Sequence, residues 1–185
     1  TGEDEGVSVS QGRSSHTDEP SGRPRVAIVY GSPSDAQTMS KAGATLQRFG
    51  VPYEEVSISA HRAPRTLAEY VGQLKAREIS VVIAGAGLAA ALPGAIAALT
   101  TLPVIGVPIS GGALDGMDSM LAIAQMPPGV PVATVGLNNS TNAAILAIQI
   151  LALNDPDLAA RLATFKDDFE QAAASSLADL SGTRS

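Results

Sequence analysis

From Arg25 onward, short β-branched runs alternate with longer stretches of helical periodicity. Strand-like runs fall at 26–30, 53–58, 80–84, 104–107 and 131–135, and helical patterns at 35–49, 64–77, 89–99, 117–124 and 142–153. Strand and helix in turn predict parallel strands joined by crossover helices. Val81, Val82 and Ile83 are apolar on both faces, as expected when helices cover each side of a parallel sheet. A last helix is predicted over about 156–178, capped by Asn154 or Asp155 with Pro156 in its first turn. Leu158, Leu162, Phe165 and Phe169 give it an apolar stripe, suited either to its own domain or to a neighbouring subunit.

The first 24 residues carry almost nothing apolar and lack the hydrophobic core of a signal peptide, so a disordered tail is expected there, followed by a single α/β domain over 25–180. Gly, Pro or charged residues interrupt every apolar stretch before it reaches the roughly eighteen residues of a membrane span. A soluble chain with no membrane partner is the expectation.

Twelve basic against 18 acidic residues, net charge -6, give no positive field for a nucleic acid backbone. With no cysteine and two histidines far apart, neither a thiolate nucleophile nor a usual zinc site is available. Asp115 and Asp118 read as helix-end charges rather than a metal pair. Aromatic residues at 3% leave little to stack on a base or flavin.

In doubly wound sheets ligands sit beyond the carboxyl ends of the strands, which selects the loops to read. After the first strand, Gly31-Ser32-Pro33-Ser34-Asp35 offers backbone N–H groups and hydroxyls at a helix start, a natural phosphate cradle, with Asp35 free to accept from ribose hydroxyls. Ser34 or Asp35 equally suits a plain helix cap. After the second strand, the run 57–64 presents His61 and Arg62. Arginine forks onto phosphate and histidine exchanges protons near neutral pH. After the third, the small-residue run 84–94 brings backbone amides to the surface, able to hold a ring, a carboxylate or carbon dioxide, or else simply to pack a helix closely. Gly85-Ala86-Gly87 is followed by Ala90, with no acidic ribose ligand after a second strand, so it is not a dinucleotide fingerprint. The proline-rich run 125–132 predicts a rigid turn forming a shaped wall.

Taken in order, Gly31-Ser32-x-Ser34-Asp35, Ser59-Ala60-His61-Arg62-x-Pro64, Ala84-Gly85-Ala86-Gly87, Leu92-Pro93-Gly94 and Gln125-Met126-Pro127-x-Gly129-x-Pro131-Val132 resemble the class I N5-carboxyaminoimidazole ribonucleotide mutase family over residues 25–153. The resemblance implies a three-layer α/β/α flavodoxin-like subunit with a five-stranded parallel sheet and a C-terminal helix. It also implies a cytoplasmic homo-octamer working in purine biosynthesis on a ribonucleotide phosphate, without metal or organic cofactor. Carried over, Ser32, Asp35 and Arg62 bind the ribose phosphate, and Ser59 with the backbone of Gly85, Ala86 and Gly87 surrounds the imidazole and carboxylate. Ser34, Ala60 and Leu92 complete the binding set, and His61 moves the proton. The small-residue loop and a mobile C-terminal helix are expected to close a water-poor pocket.

This chain departs from the family's pattern at three places. Leu88 stands where a glycine is usual and Ala91 where a second histidine is usual, and Tyr30 replaces a common methionine. These changes leave three rivals: a sister carboxylase or decarboxylase, a non-catalytic nucleotide-binding subunit, and, by fold alone, a flavin module.

Overall fold

The computed structural model describes residues 22–23 and 25–182. The expected disordered tail, 1–24, lies outside the described residues apart from Gly22 and Arg23. Five strands form one sheet: β1 (Val26–Tyr30), β2 (Tyr53–Ser57), β3 (Val81–Gly87), β4 (Val104–Ile109) and β5 (Ala133–Thr134). All pair in parallel in the order β2-β1-β3-β4-β5, the flavodoxin-like doubly wound order. Six helices cover it: α1 (Ala36–Arg48), α2 (Pro64–Gly72), α3 (Leu92–Leu99), α4 (Met117–Ala124), α5 (Ser140–Ala152) and α6 (Pro156–Gly182).

Alternation along β1 divides the core in two, because successive side chains leave opposite faces of a strand. Val26 and Ile28 pack with Met39 and Leu46 of α1 and Ile148 of α5. Ala27 and Val29 pack with Leu67 of α2, Ile96 of α3 and Ile123 of α4. The pairing of helices with faces follows from right-handed crossovers on either side of β1.

Several boundaries differ from those read in sequence, each for a visible reason. α3 starts at Leu92 rather than 89 because Leu88 and Ala90 adopt left-handed φ of 56° and 37°, which no right-handed helix accommodates. α2 ends at Gly72, and the chain turns through 73–78 to a left-handed Glu78, φ 66°. β3 continues to Gly87, whereas β5 shrinks to two residues.

Polar contacts fix the outer elements. Glu54 of β2 accepts from Tyr70 Oη at 2.6 Å and from Arg77 Nη2 at 2.9 Å, tying α2 and its following turn to the edge strand. Burial, and then the hydrogen bond to Glu54, push the Tyr70 hydroxyl well up from its ordinary value. Of the two candidate caps for α6, Asp155 serves: its Oδ1 accepts from the Leu158 N–H at 3.0 Å, and its Oδ2 from Arg25 Nη1 at 2.8 Å. Leu158 is fully buried, and Phe165 meets Phe49 edge-on at 5.4 Å. Further along α6, Phe169 and Leu177 are exposed.

Candidate active site

The carboxyl ends of β1 to β4 open into a cavity of about 570 Å³. Four loops wall it. After β1, Ser32 has extended backbone and caps a 3-10 turn at Pro33–Asp35, its Oγ accepting from the Ser34 hydroxyl at 2.9 Å and, more distantly, from the Ser34 N–H. The cap is therefore Ser32, and Asp35 makes no side-chain cap bond to α1. Its carboxylate lines the cavity, and burial raises its pKa although the Ser34 hydroxyl and the Ser32 amide pull the other way.

After β2, the Ser59 hydroxyl accepts from the Arg62 N–H at 3.3 Å and from Arg62 Nε at 3.4 Å, bending the chain so that 60–62 cross the cavity mouth. Arg62 Nη2 reaches Gly31 O at 3.4 Å and so laces the second loop to the first. His61 and Arg62 are both exposed on the cavity wall. Across from them lie Ala86 and Gly87 at the end of β3 and the bend 88–92. Gly87 has a local reason to be glycine, since a Cβ there would stand 3.1 Å from Ile109 O of the neighbouring strand.

Of the residues singled out by sequence, Ser32, Ser34, Asp35, Ser59, Ala60, His61, Arg62, Ala86, Gly87 and Leu92 all line this cavity. Gly85 does not. It is buried within β3, its carbonyl accepting from the Gly31 N–H at 3.3 Å, and a side chain there would run into Met39. Its contribution is to let α1 and the first loop sit close to the sheet.

Two expected walls are elsewhere. The proline-rich run 125–132 does not line the cavity; Met126 lies against Gly94 and Val132 against Gly106, on the α3 and α4 side. Nor does α6 of this chain line it; the Arg25 to Asp155 link starts that helix at the amino edge of the sheet, the end opposite the cavity. In their place stand residues 109–112 after β4, which the sequence reading missed. The rule that picked the other loops, the carboxyl end of a parallel strand, applied equally to Ser110, Gly111 and Gly112.

Asp35, His61 and Arg62 are the ionisable groups among the described residues of the cavity wall, and Ala91 lines it without a charge. Of these three side-chain types, imidazole is the one best suited to general acid and base work. No cluster of His, Cys, Asp or Glu suited to a metal ion occurs among the described residues.

Residues 25–172 match the family of AIR carboxylase. This chain belongs to that family. It is 51% identical over 150 residues to the N5-carboxyaminoimidazole ribonucleotide mutase of Pyrococcus abyssi, covering 81% of this chain and 86% of that one. Against the phosphoribosylaminoimidazole carboxylase of Saccharomyces cerevisiae it is 52% identical over 143 residues, 77% of this chain but 25% of that longer protein. The crystal structure of Treponema denticola PurE superposes with a TM-score of 0.77 at 27% identity, covering 83% of this chain and 96% of that one. The shared family accounts for the sheet order and for the helices on both of its faces.

Proposed function

We propose that this chain is an N5-carboxyaminoimidazole ribonucleotide mutase, moving the carboxylate from N5 to ring carbon C4 in purine biosynthesis. The observation that carries the assignment is one cavity joining a phosphate-suited loop at 31–35 to His61 and Arg62, with Arg62 bonded across to Gly31. The family relatives named as mutases support the same reaction.

Arg62, Ser32 and Ser34 hold the phosphate, and Asp35 accepts from the ribose hydroxyls. Ser59, Ala60, Ala86, Gly87 and Leu92 surround the imidazole. The N5–carboxylate bond then breaks to release carbon dioxide, and its electron pair takes a proton from the His61 imidazolium. The C4 enamine carbon attacks the trapped carbon dioxide. Neutral His61 removes the C4 proton, restoring both the aromatic ring and its own charge. His61 is the general acid and then the general base, a double role that one imidazole at the cavity wall can fill.

A non-catalytic binder has no use for an imidazole at this position, which favours the enzyme reading. We take 25–180 as one working domain acting in the cytoplasm. The apolar residues Leu114, Met117, Leu121 and Phe169 left exposed on the described surface support assembly into the homo-octamer that the family resemblance implies. Turnover of N5-carboxyaminoimidazole ribonucleotide to the C4-carboxylated isomer tests the assignment. Binding of the ribonucleotide without turnover overturns it.

A further inference from the structure

The wall after β4 contains a hydroxyl whose orientation is fixed by a neighbour. The Ser110 N–H donates to Asn138 Oδ1 at 2.9 Å, and Asn138 Nδ2 donates to Ser110 Oγ at 2.7 Å. A backbone N–H only donates, so the Asn138 amide has no choice of orientation, and its NH2 must face the serine oxygen. That oxygen is then engaged as an acceptor, and its own proton is left to point elsewhere. Ser110 lines the cavity, and among the described residues its hydroxyl has no second partner.

The surroundings hold this arrangement still. Asn138 sits at φ 57°, a left-handed position that asparagine tolerates, and its N–H donates to Pro108 O at 2.8 Å. Leu88 lies over Gly112, in space that any side chain at 112 would take. The loop is thus fastened at Ser110 by α5's leading turn and at Gly112 by the bend after β3.

We propose that Ser110 is a substrate-binding donor for the carboxylate on the imidazole, and that Asn138 is the positioning residue that makes it a donor. The proposal rests on the mutase reading above. β4 lies two strands from β1, about 10 Å at ordinary sheet spacing. A ribonucleotide with its phosphate on Arg62 and Ser32 extends its ring across β3 towards that wall. The acceptor carried at the ring end is the carboxylate, and Ser110 presents a hydroxyl proton to it opposite His61.

The test compares binding of two ribonucleotides by calorimetry, the C4-carboxylated aminoimidazole and the same compound lacking the carboxylate. Ser110→Ala is expected to weaken the carboxylated ligand roughly tenfold or more, as loss of a hydrogen bond to a charged group does, and to leave the other unchanged. Asn138→Asp accepts from both the Ser110 N–H and its hydroxyl, turning the proton away from the cavity, so it should behave like Ser110→Ala while keeping the loop tethered. Ser110→Thr retains the hydroxyl and should retain the preference. An unchanged preference in Ser110→Ala, or wild-type behaviour of Asn138→Asp, overturns the proposal. Turnover is measured separately: an inactive wild-type protein refutes the mutase reading, whereas active Ser110→Ala with full carboxylate preference refutes only the role of Ser110.

Discussion

Ala91 lines the cavity, so in the proposed reaction His61 acts without a second imidazole on that wall. The remaining charged groups of the wall are then assigned by their chemistry. Arg62→Ala removes a fork onto phosphate, so KM should rise roughly 10- to 100-fold with kcat changed far less, read by steady-state kinetics. Asp35 has its pKa raised above 3.8, first by burial, so the folded state is penalised for its charge at neutral pH. Asp35→Asn should therefore raise the melting temperature at pH 7 while weakening substrate binding. In the unaltered protein, affinity should fall as pH drops through that raised value, where the carboxylate protonates and ceases to accept two ribose hydroxyls. A melting temperature that falls in Asp35→Asn contradicts this.

Among the elements, the start of α6 is fixed by one carboxylate that serves both as its cap and as an ion-pair partner. Asp155 is held below its ordinary value of 3.8 by the Arg25 guanidinium first and by the Leu158 N–H second. A depressed folded pKa stabilises above the unfolded value and loses that contribution as pH falls through the folded one. Asp155→Asn should thus lower the melting temperature at pH 7, with the difference fading below pH 3.8. The strands β1, β3 and β4 were legible as short, nearly continuous apolar runs buried on both faces, and the helices α1, α4 and α5 because their buried positions repeat at about 3.6 residues. The start of α3 was not, since Leu88 and Ala90 are good helix formers whose left-handed backbone is imposed by the cavity loop. The same limit applied to Asn138, whose amide reaches Ser110 across 28 residues of sequence. Local pattern carries no information about such a bond.

For the whole molecule, parallel topology places four loops from different parts of the chain around one cavity, while the Arg25 to Asp155 link starts α6 at the other end of the sheet. The cavity's chemistry was legible because sheet order dictates which ends gather; all four walls follow from that rule, and the one after β4 was passed over because Ser110, Gly111 and Gly112 carry no charged side chain. Within the single chain described, α6 does not line the cavity, and the Arg25 to Asp155 link that places its start joins residues 130 apart. The measurement that bears most directly on His61 as the proton carrier is conversion of N5-carboxyaminoimidazole ribonucleotide to its C4-carboxylated isomer by the wild-type chain and by His61→Asn. Wild-type turnover with kcat lowered about 10²- to 10⁴-fold in the variant, and the ribonucleotide still bound, is the expected result. Turnover in His61→Asn within a few-fold of wild type contradicts it.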